Sequence, residues 1–304
     1  MQVKLSAPVA AALKAGQAVV ALESTIIAHG MPFPQNLDMA REVERVITQY
    51  GATPATIAII DGELRAGLDD AALEHFARTG PSIMKVSTRD MPYVVSRHIP
   101  GATTVASTMR IAAMAGISVF ATGGMGGAHR GAERNFDISA DLMEFAHSDV
   151  ALVTAGAKGI LDLALTLEIL ETQGVAVIGY QTDEFPAFYS RQSGHKVTQR
   201  ADNPEQIASL LLSKRNIGIK NGIVVANPIP LEDEIPSVII QPHIDKAIAE
   251  AAANGISGKD VTPYLLKRIA EITEGKSLKA NIALVMNNAK LAAKIAVAYA
   301  HISQ

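Results

Sequence analysis

The sequence predicts an α/β fold, a three-layer α/β/α sandwich with a central, mostly parallel sheet and a small side sheet. Three observations support this fold class. Short apolar runs alternate with segments of helical periodicity. Hydrophobic residues make up 48% of the chain but aromatic residues only 4%, so the core is aliphatic, as is typical of parallel sheets covered by helices. No linker-like segment interrupts the 304 residues, so we expect a single domain over residues 1–304.

In the first half of the chain, the apolar run 19–22 predicts a strand that ends at Glu23. A helix is predicted over 36–50, where apolar residues recur on one face. The run 55–60 predicts a strand that ends at the hairpin-turn dipeptide Asp61-Gly62. We therefore expect this strand and the segment after it to form the small side sheet.

The alternation continues through the second half of the chain, where further apolar runs and helical patterns follow one another. Further strands are predicted at 83–86, at 117–122, in the first part of 150–159, at 175–180 and at 222–226. Further helices are predicted at 103–115, 160–168, 244–254, 263–273 and 278–301, so that helices dominate from Pro242 onward.

Charge and composition exclude several classes of protein. The net charge of −3 provides no basic field that would attract nucleic acid. The chain has no cysteine, so any metal is held by oxygen or nitrogen rather than by thiolate. The amino terminus lacks the pattern of a signal peptide, and no uncharged apolar run reaches the roughly 18–20 residues of a membrane span. We therefore expect a cytoplasmic protein without nucleic-acid or membrane partners.

Lys158 is the most informative single residue. It follows the buried apolar run that begins at Val150, in a turn flanked by Gly156 and Gly159. Open α/β sheets bind their ligands beyond the carboxyl ends of their strands. Apolar surroundings disfavour the ammonium form of a lysine, which makes its amine a nucleophile at neutral pH. The alternative is a lysine whose stem lies on the sheet and whose ammonium reaches solvent.

Several long motifs gather at the predicted strand ends. They are ESTIIAHGMP (23–32), GATPAT (51–56), KVSTRD (85–90), GATTV (101–105), ATGGMGGAHRG (121–131), DISAD (137–141), AGAK (155–158) and NIALVMNNA (281–289). In this order they closely resemble the pseudouridine-5′-phosphate glycosidase (indigoidine synthase A-like) family, over about residues 3–299. The resemblance implies an enzyme that reversibly cleaves the C–C glycosidic bond of pseudouridine 5′-phosphate to uracil and ribose 5-phosphate.

The resemblance also implies a mechanism and two catalytic residues. A carbon leaving group is poor, so opening the sugar ring and forming a Schiff base at C1′ provides a better electron sink. Lys158 matches the family's nucleophilic lysine. Glu23 matches its proton donor, which protonates the ring oxygen, and a carboxylic acid held near neutrality suits that task. On the residues alone, Glu23 could equally be a capping or surface carboxylate.

The metal and part of the substrate site are also implied by the resemblance. Asp137 matches the position that binds a divalent cation, Mn²⁺ in this family, and a hard ion needs few protein ligands when water or substrate completes its shell. Taken alone, such an Asp is more often a turn former. Ser139, Ala140 and Asp141 correspond to a stretch that contacts substrate. Asp141 could bind the metal directly or support another ligand.

Further substrate contacts are expected in and around the glycine cluster 123–131. Its backbone N–H groups could bind an anion, although a mobile turn would use the same glycines. His129 lies within the cluster and is expected to bind substrate. Lys85 and Val105 match substrate-binding positions of the family, Val105 through its backbone. Arg89 and Arg130 are candidate phosphate partners, since a guanidinium suits phosphate oxygens, or else surface charges.

Two further features leave alternatives open. Asn281 lies in an apolar helix with Asn287 and Asn288. Such a residue commonly ties helices together, but the resemblance implies that Asn281 contacts the uracil edge, where an amide supplies donor and acceptor. The aromatic segment 185–189 could cover the site as a lid or fill the core.

Three functions therefore remain in competition. The leading one is the C–C glycosidase. The second is a Schiff-base lyase or aldolase on another sugar phosphate, which would keep Lys158 but need no uracil pocket. The third is a non-catalytic binding protein of the same fold, against which the joint presence of Glu23, Lys85, Asp137 and Lys158 argues. A homotrimer is implied by resemblance only.

Overall fold

The structure is a computed structural model, and it describes residues 2–256, 258 and 261–303. The strands are β1 (Lys4–Leu5), β2 (Val19–Glu23), β3 (Thr53–Ile60), β4 (Glu63–Ala66), β5 (Met84–Val86), β6 (Gly101–Thr103), β7 (Val119–Ala121), β8 (Ala128–His129), β9 (Ala151–Thr154), β10 (Leu161–Asp162), β11 (Val177–Tyr180), β12 (Gln199–Ala201) and β13 (Ile223–Ala226). The α-helices are α1 (Ala7–Lys14), α2 (Thr25–His29), α3 (Gln35–Gln49), α4 (Asp70–Thr79), α5 (Met91–Ser96), α6 (Val105–Ala115), α7 (Ala132–Asn135), α8 (Ala140–Glu144), α9 (Leu163–Thr172), α10 (Pro204–Asn216), α11 (Ser237–Ala253), α12 (Val261–Ile272) and α13 (Lys276–Ile302).

The central sheet has the strand order β1-β4-β3-β2-β7-β9-β13-β11-β12, and β6 and β5 branch from β3. Every pair from β3 through β2 to β12 is parallel. The central strands β7, β9 and β13 are buried along their whole length, because helices cover both faces. The mostly parallel sheet is therefore confirmed.

Two groups of helices cover the sheet. Helix α13 packs against α3 and α10 and against strands β2, β7 and β9. Helix α6 packs against α8 and against β2, β3 and β4. Since β2 is contacted by both α6 and α13 and its first four residues are buried, the two helices lie on opposite faces. This is the three-layer arrangement that the alternating pattern predicts.

Helix α13 has the length and apolar composition of a membrane span, but half of its most apolar window is buried within the protein. Its contacts with the sheet and with α3 and α10 make it a core helix. Its buried side combines two amide side chains, Asn281 and Asn288, with small residues such as Ala280 and with larger aliphatic residues.

The small antiparallel sheet exists, but it is formed by other residues than expected. It consists of β8 and β10. Strand β8 lies within the glycine cluster, and β10 follows the turn that contains Lys158. The strand predicted at 55–60 lies instead in the central sheet, because β3 pairs in parallel with β2 before it turns back into β4. The predicted turn itself is present, with positive φ at both Asp61 and Gly62.

Helix α11 begins earlier than predicted and contains Pro242 in its interior. The prediction was wrong because a proline usually ends a helix. Helices α4 and α10 were not predicted, although both carry a start signal. Asp69 and Asn203 each accept a hydrogen bond from a backbone N–H at the amino terminus of the helix that follows.

The turn after β9 depends on Gly156. Its φ is +88°, and a Cβ atom at this position would lie 2.1 Å from the carbonyl oxygen of Pro186. The aromatic segment that contains Pro186 therefore packs directly on the turn that leads to Lys158. Only glycine accommodates both the backbone conformation and the close approach.

We predict that Gly156→Ala destabilises the protein by about 2–5 kcal/mol, the sum of left-handed backbone strain and steric overlap. The matched control is Gly116→Ala, which has φ of +78° but no atom within 4 Å of the added Cβ. It should cost only about 1–2 kcal/mol. Urea unfolding of both variants measures the difference, and equal losses would contradict the steric argument.

Candidate active site

A cavity of about 350 Å³ opens beyond the carboxyl ends of β2, β7 and β9. All ten residues predicted for the site line it, namely Glu23, Lys85, Val105, His129, Asp137, Ser139, Ala140, Asp141, Lys158 and Asn281. Parallel strands bring them together, because β2, β7 and β9 end at the same edge of the sheet. The cavity is therefore the candidate active site.

Glu23 is the last residue of β2 and lies at the base of the cavity. Its Oε1 accepts a short hydrogen bond from the Thr122 hydroxyl. Burial raises the pKa of the Glu23 carboxyl above its ordinary value of 4.5, while the charge of Lys158 and the Thr122 hydrogen bond lower it in part. The net increase favours the protonated carboxyl, which is the form that a general acid requires.

Lys158 follows the Gly156 turn, and its side chain faces the same cavity. The backbone N–H of Lys158 donates to the Met125 carbonyl at 3.1 Å. This bond fixes the lysine turn to the glycine cluster that follows β7. The amine is close enough to Glu23 for the two groups to interact electrostatically, so an amine and a carboxyl group share one site.

Asp141 is 5% exposed, and both of its carboxylate oxygens are engaged by backbone. Oδ1 accepts from the Ala106 N–H at 2.9 Å, and Oδ2 accepts from the Gly126 N–H at 2.8 Å. A Cβ on Gly126 would lie 2.6 Å from Oδ2, so this approach requires glycine. Asp141 thus joins the start of α6 to the glycine cluster, and this geometry favours a supporting role over direct metal binding.

Asp137 and His129 form one wall of the cavity. The backbone N–H of His129 donates to the backbone carbonyl of Asp137 at 2.9 Å. Burial lowers the pKa of the His129 imidazole, and the charge of Asp137 raises it in part, so the ring is neutral near pH 7. Among the described residues, no group of three or more His, Asp or Glu side chains is arranged to hold a metal. An oxygen and a neutral nitrogen donor fit a hard cation that takes its other ligands from water and substrate.

The three asparagines of α13 have different positions. Asn281 lines the cavity. Asn287 instead donates to the Pro228 carbonyl at 3.1 Å, and Asn288 donates to the Thr122 carbonyl at 2.7 Å. Only Asn281 is therefore placed to contact a ligand, and the other two tie the helix to loops at the end of the sheet.

The two arginines also differ. Arg89 lines the cavity with its side chain 82% exposed. Arg130 forms an ion pair with Asp245 of α11 at 2.7 Å and does not belong to the cavity wall. The expectation that both arginines face a phosphate is therefore supported by position only for Arg89.

The aromatic segment 185–189 fills the core and does not form a lid. Phe185, Phe188 and Tyr189 are at most 2% exposed. Phe188 reaches the cavity wall, where it packs against Gly124. Burial also raises the pKa of the Tyr189 hydroxyl, so this phenol stays neutral.

Thr122 is a site residue that the sequence analysis missed. It directly follows β7 and holds Glu23 through its hydroxyl. Its position in the sequence could have indicated this role, because a hydroxyl at the end of one buried strand lies next to a carboxyl at the end of the neighbouring strand. Ser87 and Thr104 line the cavity as well, and both follow short strands in the same way.

The chain matches the family model described as "Indigoidine synthase A like protein" over residues 8–298. It is similar to proteins named pseudouridine-5′-phosphate glycosidase from several bacteria. The relative from Hahella chejuensis is 55% identical over 97% of both chains. The relative from Nocardioides sp. is 57% identical over 97% of this chain and 96% of its own.

Two solved structures share the fold. The prealnumycin C-glycosynthase AlnA, in complex with ribulose 5-phosphate, superposes with a TM-score of 0.92 and is 37% identical, covering 100% of this chain and 98% of its own. An indigoidine synthase A-like protein from Thermotoga maritima superposes with a TM-score of 0.88 at 37% identity, covering 98% of this chain and 96% of its own.

We predict that Glu23→Gln makes the protein progressively more stable than the wild type as the pH rises above 4.5. The folded-state pKa of Glu23 is raised above 4.5. Its contribution to stability is therefore fully present below the unfolded-state pKa and is lost as the pH rises through the folded-state value. The loss reaches at most about 1.4 kcal/mol per pH unit in this window, and glutamine does not titrate.

Thermal unfolding of both proteins between pH 4 and 9 measures this difference. The control is Glu133→Gln, at a glutamate whose side chain is 55% exposed, which should change stability little at any pH. If the stability difference between Glu23→Gln and the wild type did not grow with pH, folding would not disfavour the ionised form of this carboxyl, and the prediction would be wrong.

Proposed function

Because the chain belongs to the indigoidine synthase A-like family, we propose that it is an enzyme that cleaves the C–C glycosidic bond of pseudouridine 5′-phosphate to uracil and ribose 5-phosphate. The observation that carries this proposal is the pairing, in one cavity, of Lys158 with Glu23, whose pKa is raised by burial. Relatives at about 55% identity bear the name of this activity over nearly their full length.

The reaction begins with a proton transfer from Glu23 to the ring oxygen of the sugar. The Lys158 amine attacks C1′ as the C1′–O4′ bond breaks, so that the sugar opens and keeps the proton as its 4′-hydroxyl. The nitrogen then loses a proton, the C1′–C5 bond breaks with formation of the imine, and C5 of uracil takes up a proton. Water hydrolyses the imine to the aldehyde of ribose 5-phosphate, and the proton released restores Glu23.

The reaction is reversible in this proposal, because every step, from ring opening to hydrolysis of the imine, can run in either direction. A relative that forms C-glycosides, the C-glycosynthase AlnA, has the same fold and binds a pentose 5-phosphate. This observation favours a pentose phosphate as the sugar and argues against a protein without turnover. A Schiff-base lyase that acts on another sugar phosphate is less well supported, because such an enzyme would have no use for Asn281 at the cavity wall.

A divalent cation, Mn²⁺ by resemblance, would be held by Asp137 with His129 beside it. When bound, it supplies a Lewis acid that stabilises negative charge on oxygen. The chain's own residues perform the remaining tasks. Lys85 and Arg89 line the cavity, where their cationic side chains bind the phosphate. Ser139 and Ala140 contact the substrate at the start of α8, and Val105 does so at the start of α6.

We further propose that the enzyme acts in the cytoplasm as a homotrimer. The absence of cysteine suits a reducing compartment. The trimer is implied by the family resemblance alone, and light scattering coupled to gel filtration tests it.

We predict that the wild type releases free uracil from pseudouridine 5′-phosphate in the presence of Mn²⁺, and that Lys158→Ala abolishes this turnover without unfolding the protein. Lys158→Arg should be inactive as well, because a guanidinium remains protonated and forms no imine. Uracil is quantified by liquid chromatography, and circular dichroism checks the fold. No uracil from the wild type would refute the proposed substrate.

Reduction with borohydride during turnover should trap ribose 5-phosphate on Lys158, as mapped by peptide mass spectrometry. The Lys158→Ala variant is the control for adducts elsewhere. An adduct on Lys85 would exchange the roles of the two lysines, and wild-type turnover without any adduct would exclude the Schiff base.

We predict that Asp137→Asn sharply weakens the dependence of activity on added metal. The amide preserves the shape of the side chain but lacks the charge that holds a hard cation. Titration of kcat against Mn²⁺ should require far higher concentrations for the variant. Full wild-type activity after exhaustive chelation would contradict the metal site altogether.

A further inference from the structure

A continuous chain of buried hydrogen bonds leads from α13 to the catalytic acid. The Glu23 Oε1 accepts from the Thr122 hydroxyl. The Thr122 carbonyl accepts from the Asn288 side-chain amide at 2.7 Å. The Asn288 Oδ1 in turn accepts from the Asn227 amide at 2.9 Å. Asn288 is completely buried, and Thr122 and Asn227 are 3% and 5% exposed.

We propose that Asn288, held by Asn227, is a positioning residue that keeps the Thr122 hydroxyl against Glu23 and thereby selects the carboxyl oxygen that delivers the proton. Asn288 does not belong to the cavity wall, so it acts through Thr122 and does not touch substrate. The inference rests on the proposed function, because it assumes that Glu23 is the acid in the cleavage of the glycosidic bond.

The selection follows from the chemistry of a carboxylic acid. A protonated carboxyl has one oxygen that carries the proton and one that only accepts hydrogen bonds. Because Thr122 donates to Oε1, the proton resides on Oε2. Without the hydroxyl the two oxygens are no longer distinguished by this hydrogen bond, and the proton is shared between Oε1 and Oε2.

Asn288 also joins the acid to the nucleophile. Its amide lies 3.3 Å from the Gly123 carbonyl, and the same carbonyl accepts from the Ala155 N–H at 2.9 Å. Ala155 begins the turn that leads to Lys158. Asn288 therefore binds the backbone at the point where the end of β7 meets the end of β9. This contact fixes the position of Glu23 relative to that of Lys158.

The chain offers a matched control one residue away. Asn287 lies on the same helix and donates to the Pro228 carbonyl at 3.1 Å, so Asn287→Ala removes an amide hydrogen bond from this helix and leaves the contacts of Asn288 in place. In the described part of the chain, Asn287 forms no hydrogen bond to the loop that carries Thr122. Any effect of Asn288→Ala beyond that of Asn287→Ala therefore reports the contacts of Asn288 with Thr122, Gly123 and Asn227.

The experiment measures kcat, KM and their pH dependence for the full-length variants with pseudouridine 5′-phosphate. For Asn288→Ala we expect kcat to fall on the order of 10- to 100-fold, as for a displaced catalytic group, with KM changed less than about twofold because uniform binding is retained. The alkaline limb of the kcat profile should move to higher pH, since loss of the Thr122 donor disfavours the ionised carboxyl. Asn287→Ala should keep the wild-type values.

The other charges that act on Glu23 are Lys158, Asp141 and Lys85, and none of them is altered in these variants. Thr122→Val should reproduce the shift of the alkaline limb, and Thr122→Ser should reverse it, because serine restores the hydroxyl. A role in stability alone would lower the unfolding temperature but would leave the limb in place.

A second measurement is independent of turnover and remains available if Asn288→Ala does not fold. Carboxyl-selective NMR titration of Glu23 in the free protein should give a higher midpoint for Thr122→Val than for the wild type. An unshifted midpoint, or an Asn288→Ala variant that loses kcat only as much as Asn287→Ala does, would overturn the inference. A wild type that releases no uracil would refute the proposed function, whereas the NMR result would still decide whether Thr122 acts on Glu23.

Discussion

The site depends on the parallel alignment of β2, β7 and β9. The register places Leu22 opposite Ala121 and Ala121 opposite Val153, so the three strands end at one edge of the sheet. Each strand then delivers a polar residue to the same place. This edge also lies deep in the protein, and the burial that stabilises the sheet raises the pKa of Glu23 at its end. The packing of the sheet and the raised pKa of Glu23 thus have a common physical cause.

Hydrogen bonds between side chains and the backbone hold the loops around this edge. The Asp141 side chain accepts from two backbone N–H groups on separate elements, and the Asn288 side chain donates to the successive carbonyls of Thr122 and Gly123. Such buried polar groups are tolerated because each finds its partners. They also specify one loop conformation, since an alternative conformation would leave several of these groups buried without a partner.

Much of this arrangement could be predicted from the sequence, and for identifiable reasons. Lys158 and Glu23 follow apolar runs, so the rule for strand ends placed both of them at the cavity. Asp137 and Val105 carried no such local signal and were found only through the family resemblance. The partnership of Asn288 with Thr122 spans 166 residues, and no local pattern encodes a contact of that separation. The strand β3 was misplaced for a related reason, because its hairpin signal was local while its pairing with β2 was not.

In the proposed mechanism a lysine, and not a second carboxylate, is the nucleophile, and the surroundings of the other carboxylates agree with this assignment. Among the described residues, four carboxylates line the cavity: Glu23, Asp90, Asp137 and Asp141. Each oxygen of Asp141 already accepts a hydrogen bond from a backbone amide. Asp90 caps its own turn by accepting from the Ser87 N–H at 3.0 Å. Asp137 lines the same wall of the cavity as His129, and in the proposed function it binds the cation.

An ordinary glycosidase needs a second carboxylate beside its acid, either as nucleophile or as base. Here the group that acts electrostatically on Glu23 most strongly is Lys158. An amine bonded to C1′ can donate its nitrogen lone pair to form an imine while the electrons of the C1′–C5 bond leave with C5 of uracil, whereas a carboxylate ester has no comparable lone pair to donate. The arrangement of one buried acid and one lysine therefore matches the chemical demand of a carbon leaving group better than that of an oxygen or nitrogen leaving group.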